Sequence, residues 1–227
     1  VESLFISKAL THTFLSVFTE GWILLFILGF LAHQINLKNS DFTIPPNIII
    51  WMILVGAPLS FAFGMAEHTN ASFIMLWARF GSLLMSLALI MFLIELLKAK
   101  DRISTIYILP IFFLFVKALT QLSIAVFGFQ HLTSDPTLRV LYLHILLLGA
   151  FTLLISGYIV KTYQIKTVYY NILSASVALT ILSLILPTPL RPLSWGGVWI
   201  YDALAIGALL PIVSICFIWI SLLHSIF

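Results

Sequence analysis

Four charged side chains interrupt long apolar runs in this chain: Glu20, Arg79, Lys117 and Asp202. A charge in hydrocarbon costs at least ~2.5 kcal/mol on insertion scales, so such groups pair or face water, and they mark proton and ion routes. Counting ~1.5 Å per helical residue from the ends of the runs puts Glu20 and Arg79 at similar depth, about 10 Å below the outer face, and makes them the expected ion pair. Lys117 falls near the midplane, with Gln121 one turn outward on the same helix face. Asp202 lies near the outer end of the last run, within reach of either cation. Together these five form an expected intramembrane polar network.

The histidines are the second candidate set. His12, His68, His131 and His144 fall toward one side of the membrane, and His33 and His224 toward the other. Neutral imidazole is the commonest metal ligand and the usual axial ligand of haem, so a one-sided set suggests haem or copper. For His12, His68 and His131 an interfacial polar residue at a helix end is the simpler reading. His144 differs, because it sits inside the apolar run Val140-Leu-Tyr-Leu-His-Ile-Leu-Leu-Leu-Gly149, where an imidazole without a task is costly.

The elements that must hold these residues are set by composition. The chain has 227 residues, 62% hydrophobic and 8% charged. Soluble domains are about 45–50% apolar and about 25% charged. A soluble fold, disorder and a disulfide scaffold are therefore excluded, the last because Cys216 is the only cysteine. The basic surplus of +3 is that of topology-setting loop cations, without the basic, aromatic-laced patches of a nucleic-acid binder. Val1 in place of Met reads as a processed chain or part of a longer one, and no cleavage signal follows the first apolar stretch.

The expected fold is an all-α polytopic bundle forming one membrane domain over 1–227. A crossing needs about 20 apolar residues. Seven stretches qualify: Thr13 to Ala32, Asn47 to Ala66, Ser72 to Leu97, Thr105 to Phe129, Arg139 to Val160, Val168 to Leu186 and Val198 to His224. Pro45 and Pro46 open the second span, while Pro58, Pro110 and Pro211 are expected to kink theirs. Gly21 with Gly29, Gly56 with Gly64 and Ala203 with Gly207 suit close helix contact. No internal repeat is evident. Lys8, Arg139 and Arg191 fall on one side, against Lys38, Lys98, Lys100, Arg102, Lys161 and Lys166 on the other, which places the N-terminus outside and the C-terminus in the cytoplasm. Trp195, Trp199 and Tyr201 then make an outer aromatic belt, with Trp219 toward the inner interface.

The run from His144 through Gly149 and Ala150 resembles the His-x4-Gly-Ala helix of the NnrS family. These are bacterial haem- and copper-containing membrane proteins linked to nitric oxide metabolism and distantly similar to subunit I of haem-copper oxidases. The stretch from Lys117-Ala-Leu-Thr-Gln121 through Gln130-His131 to Tyr142-Leu-His144 is similar to the C-terminal half of a larger oxidase-like family, in which His12, Gly21 and Trp22 also find counterparts. The resemblance implies an inner-membrane protein of a respiratory complex, holding haem b or copper through His144 with His12 or His131 as second ligand. His68 joins the possible metal ligands, and Arg79 or Lys117 would tune the centre. Two departures limit it. Val160 is followed by Lys161-Thr-Tyr-Gln rather than the family's Gly-His-Thr-Gly-Arg turn, and four one-sided histidines fall short of the six a complete oxidase centre needs.

Two other functions compete: a cofactor-free subunit embedded in lipid among other membrane subunits, and a proton-coupled or small-solute transporter using Glu20, Lys117, Gln121 and Asp202. Phosphate-binding loops, zinc-helix motifs and nucleophile elbows are absent.

Overall fold

The computed structural model describes residues 7, 10–11, 13–60, 72–127, 136–185 and 199–226. Every element among them is helical. In chain order they are α1 (Thr13–Gln34), α2 (Pro46–Ser60), α3 (Ser72–Lys98), α4 (Thr105–Phe127), α5 (136–162), α6 (Thr167–Ile185) and α7 (Trp199–Ile226). Six are long and apolar enough to cross a membrane. The exception is α2, whose 15 described residues cover only the first part of the expected second span. The rest of that span lies outside the described residues.

Outward-facing side chains include Trp22, Trp51, Leu76, Phe112, Leu182, Leu209 and Trp219. So many exposed large apolar groups suit lipid rather than water. The Trp195, Trp199 and Tyr201 side chains lie outside the described ones.

The chain divides into two compact units. One holds Val1–Ser104 and Leu114–Asp135, the other Thr105–Phe113 and Pro136–Phe227. In the first, α2 and α3 pack at backbone distance through glycine. A Cβ on Gly81 would sit 2.8 Å from the Gly56 carbonyl oxygen and 2.7 Å from Leu59 Cβ, so only hydrogen fits there. Of the expected pair on α1, Gly21 faces Ala57 at ordinary contact distance and Gly29 faces open space. Helix-end loops are pinned by charge. Glu95 accepts hydrogen bonds from the Thr43 backbone N–H and from Lys98, which also donates to the Thr43 hydroxyl. Asp41 accepts from the Lys38 backbone N–H at 3.0 Å and from Arg102 at 2.9 Å. Those two donors, the backbone one first, hold the Asp41 carboxyl below the usual carboxylate range.

In the second unit the short 3₁₀ turn opening α4 packs on α5 and α6. The Tyr170 hydroxyl donates to the Ile106 carbonyl at 2.6 Å, and Lys161 lies 5.7 Å from the Tyr107 ring centre. The Thr180 hydroxyl of α6 donates to the Gly207 carbonyl of α7, and Ser176 bonds Ser214 at 2.9 Å. Pro58 and Pro211 lie inside their helices as expected. Pro46 is the first residue of α2, and Pro110 stands in the first turn of the α-helical part of α4. A missing N–H is harmless there, so the expected kink at Pro110 has no cause.

Candidate functional site

The expected ion pair is re-partnered. Glu20 meets Lys117, with Oε1 accepting from Lys117 Nζ at 2.6 Å, and its Oε2 accepts from Gln121 Nε2 at 3.0 Å. Arg79 is only half-buried, and its Nε has no hydrogen-bond partner among the described residues. Depth counted along each sequence misassigned the pair because it treats every helix as starting level with the membrane face. In the structure Glu20 of α1 lies beside Lys117 and Gln121 of α4.

Local structure explains how one carboxylate serves two donors. Lys117 and Gln121 are four residues apart on α4 and share a face. Glu20 lies in a π-helical stretch of α1, Ser16–Ile23, which buries Thr19, Glu20 and Gly21. Such widened turns recur at functional sites because they re-aim a side chain that regular helix would send elsewhere. The backbone of α4 is fixed from α3: Ser82 donates to the Gln121 carbonyl at 2.9 Å and Ser86 to the Ala118 carbonyl at 3.0 Å.

The cluster is dry. The Lys117 side chain is 0% exposed and that of Glu20 6%. Gln121 is buried too, and its Oε1 has no hydrogen-bond partner among the described residues. An acceptor left open beside a carboxylate and an ammonium is a place for a water or a transferring proton.

Asp202 belongs to the other unit, exposed in the first turn of α7. Among the histidines, only His144 has a described side chain from the one-sided set; His12, His68 and His131 lie outside the described residues. His144 is half-buried, and its Nδ1 lies 2.7 Å from the Val140 carbonyl oxygen. A proton on Nδ1 satisfies that contact and leaves Nε2 as the lone-pair nitrogen, the arrangement of a metal-ligating imidazole. A second π-helical stretch, Ile145–Thr152, follows directly. No group of three His, Cys, Asp or Glu side chains converges among the described residues. One imidazole suits one axial position of a haem; a multi-histidine copper site is not assembled from what is described.

Comparison with protein-family models, with curated proteins and with solved structures returned no match.

Proposed function

We propose that this integral membrane protein exchanges a proton at Glu20, and that the Glu20–Lys117–Gln121 cluster is the working centre of a proton-coupled transport function. One observation carries the reading: a carboxylate and an ammonium paired at 2.6 Å inside apolar helices, beside an open acceptor on Gln121. Protonating Glu20 at Oε1 breaks its bond to Lys117 and leaves a net positive charge in the bilayer. That charge is costly, so the protonated state favours opening the cluster to water, and loss of the proton restores the pair. We orient the chain with its N-terminus outside, on the six cations against three that face the cytoplasm in that arrangement. Lipid and other membrane subunits are its neighbours.

The test uses proteoliposomes loaded with a pH-sensitive dye, under an imposed pH gradient with valinomycin to clamp the potential. The wild type collapses the gradient faster than empty vesicles, and Glu20→Gln does not. Equal rates for both proteins would leave the pair a purely structural tie between helices, as in a cofactor-free subunit.

A second reading rests on His144, whose Nδ1 contact leaves Nε2 available. Here the chain is a haem- or copper-binding, oxidase-like protein of the NnrS kind, with redox or nitric oxide chemistry near the outer face. Metal analysis and optical spectra of the purified protein test it. The reading predicts haem or copper that His144→Ala loses, and fails if wild type carries neither.

A further inference from the structure

The two units follow one plan. Each contains a run of three helices that opens with a long one, α1 or α5, and that helix holds a π-helical stretch, Ser16–Ile23 in one and Ile145–Thr152 in the other. Each of these helices ends in the same cap. The two non-glycine residues with positive φ among the described ones are Asn36 at 54° and Gln164 at 52°, and both are the turn residue that stops the helix. The next amide reaches back five residues in both cases, Leu37 N–H to the Ala32 carbonyl at 2.9 Å and Ile165 N–H to the Val160 carbonyl at 3.0 Å. Two helices follow, packed on each other near a glycine of the second: Gly81 of α3 against α2, and Gly207 of α7, 126 residues further on, against α6.

The sequence carries the same register. Asn36 and Gln164 are 128 residues apart, and at that one offset Gly21 meets Gly149, Gly29 meets Gly157, Phe30 meets Tyr158 and Lys38 meets Lys166. With 11 glycines in 227 residues, both α1 glycines finding glycine at an offset already fixed by the caps has a chance of about (11/227)², roughly one in 400. The first copy has a longer connection after its cap, which holds the 3₁₀ turn Asn39–Asp41.

We propose that residues 13–98 and 141–226 are two copies of one three-span unit joined by α4. Two consequences follow. α2, 15 residues of which form the described helix, takes the place in the first copy of the crossing helix α6. The charged centre belongs to the first copy alone, because the position matching Glu20 is Leu148. Parallel duplications of this kind are a known way to build transporters.

Span counting makes the proposal testable without any assumption about function. If α2 begins a crossing, the loops holding Lys38 and Lys166 lie on the same side of the membrane; if it does not, they lie on opposite sides. Lys38→Cys and Lys166→Cys are made singly in the full chain on a Cys216→Ser background, and labelled with a membrane-impermeant maleimide in right-side-out and inverted vesicles. Both positions are exposed, and Lys38→Cys keeps the backbone N–H that bonds Asp41. Labelling of both from the same side is the expected result. Labelling from opposite sides overturns the duplication. Asn39→Cys and Tyr163→Cys, in the same two loops, provide the same reading if either first variant does not accumulate.

Discussion

Removing one partner of the Glu20–Lys117 pair should cost far more than removing both. The Lys117 side chain is fully buried and Glu20 nearly so, so water screens neither. Breaking a buried pair costs about 3–5 kcal/mol because it strands a charge, whereas replacing both by apolar groups of similar volume is often neutral or stabilising. Glu20→Leu removes the carboxylate that accepts from both Lys117 and the Gln121 Nε2, whereas Lys117→Met leaves a carboxylate that still has Gln121. Glu20→Leu should therefore be the more damaging. The double variant leaves the Gln121 amide without its acceptor, worth about 1–3 kcal/mol. The two singles would then sum to roughly 6–10 kcal/mol, and the double should fall several kcal/mol short of that sum. A single loss corresponds to about 10²–10⁴-fold in the folding equilibrium. Unfolding by dodecyl sulfate from mild-detergent micelles, followed by circular dichroism and tryptophan fluorescence, reads all three variants. Additive losses within about 0.5 kcal/mol would refute the reasoning, since uncoupled sites behave so.

Other consequences are more local. Gly81→Ala puts a methyl group against the Gly56 carbonyl and Leu59, and should destabilise by about 1–3 kcal/mol in the same unfolding assay, as overpacking does. Gly149→Ala meets the Phe113 ring, with a Cβ 2.5 Å from Cγ; its loss of thermal stability should be relieved when Phe113→Ala is added. The lowered pKa of Asp41 means that its bonds to Lys38 and Arg102 contribute stability fully above about pH 4, its unfolded value, and lose it as pH falls through the folded one. In Asp41→Asn the thermal midpoint should thus depend less on pH in the acid range than in wild type.

The membrane character, the helical class and most helix positions were legible from hydropathy, because a crossing demands about 20 apolar residues and little else in a chain does. The polar cluster was legible in its members and not in its pairing. Lys117 and Gln121 declare a shared face by their spacing, but which acid they meet depends on the vertical offset of α1 and α4 and on the π-helical turn at Ser16–Ile23, neither of which hydropathy encodes. The duplication escaped the sequence for a related reason. Its signal is two glycines, one lysine and a helix-stopping residue that is Asn in one copy and Gln in the other, scattered in apolar sequence where Leu, Ile, Val and Phe interchange freely. Only the matching φ at Asn36 and Gln164 fixes the register in which those few positions coincide. Arg79 shows the limit of charge counting: it is as intramembrane as Glu20 by sequence, yet its half-exposed place on α3 gives it no acid partner among the described residues.

The most direct measurement is infrared difference spectroscopy of the protein in lipid across a pH titration, with Glu20→Gln and Lys117→Met as references. Proton exchange at Glu20 predicts a carboxylic-acid carbonyl band that is present in the wild type, disappears in Glu20→Gln, and changes in Lys117→Met, which removes the ammonium bonded to Oε1. A band unchanged in Glu20→Gln, or no protonated carboxyl at any pH at which the protein stays folded, would contradict the account.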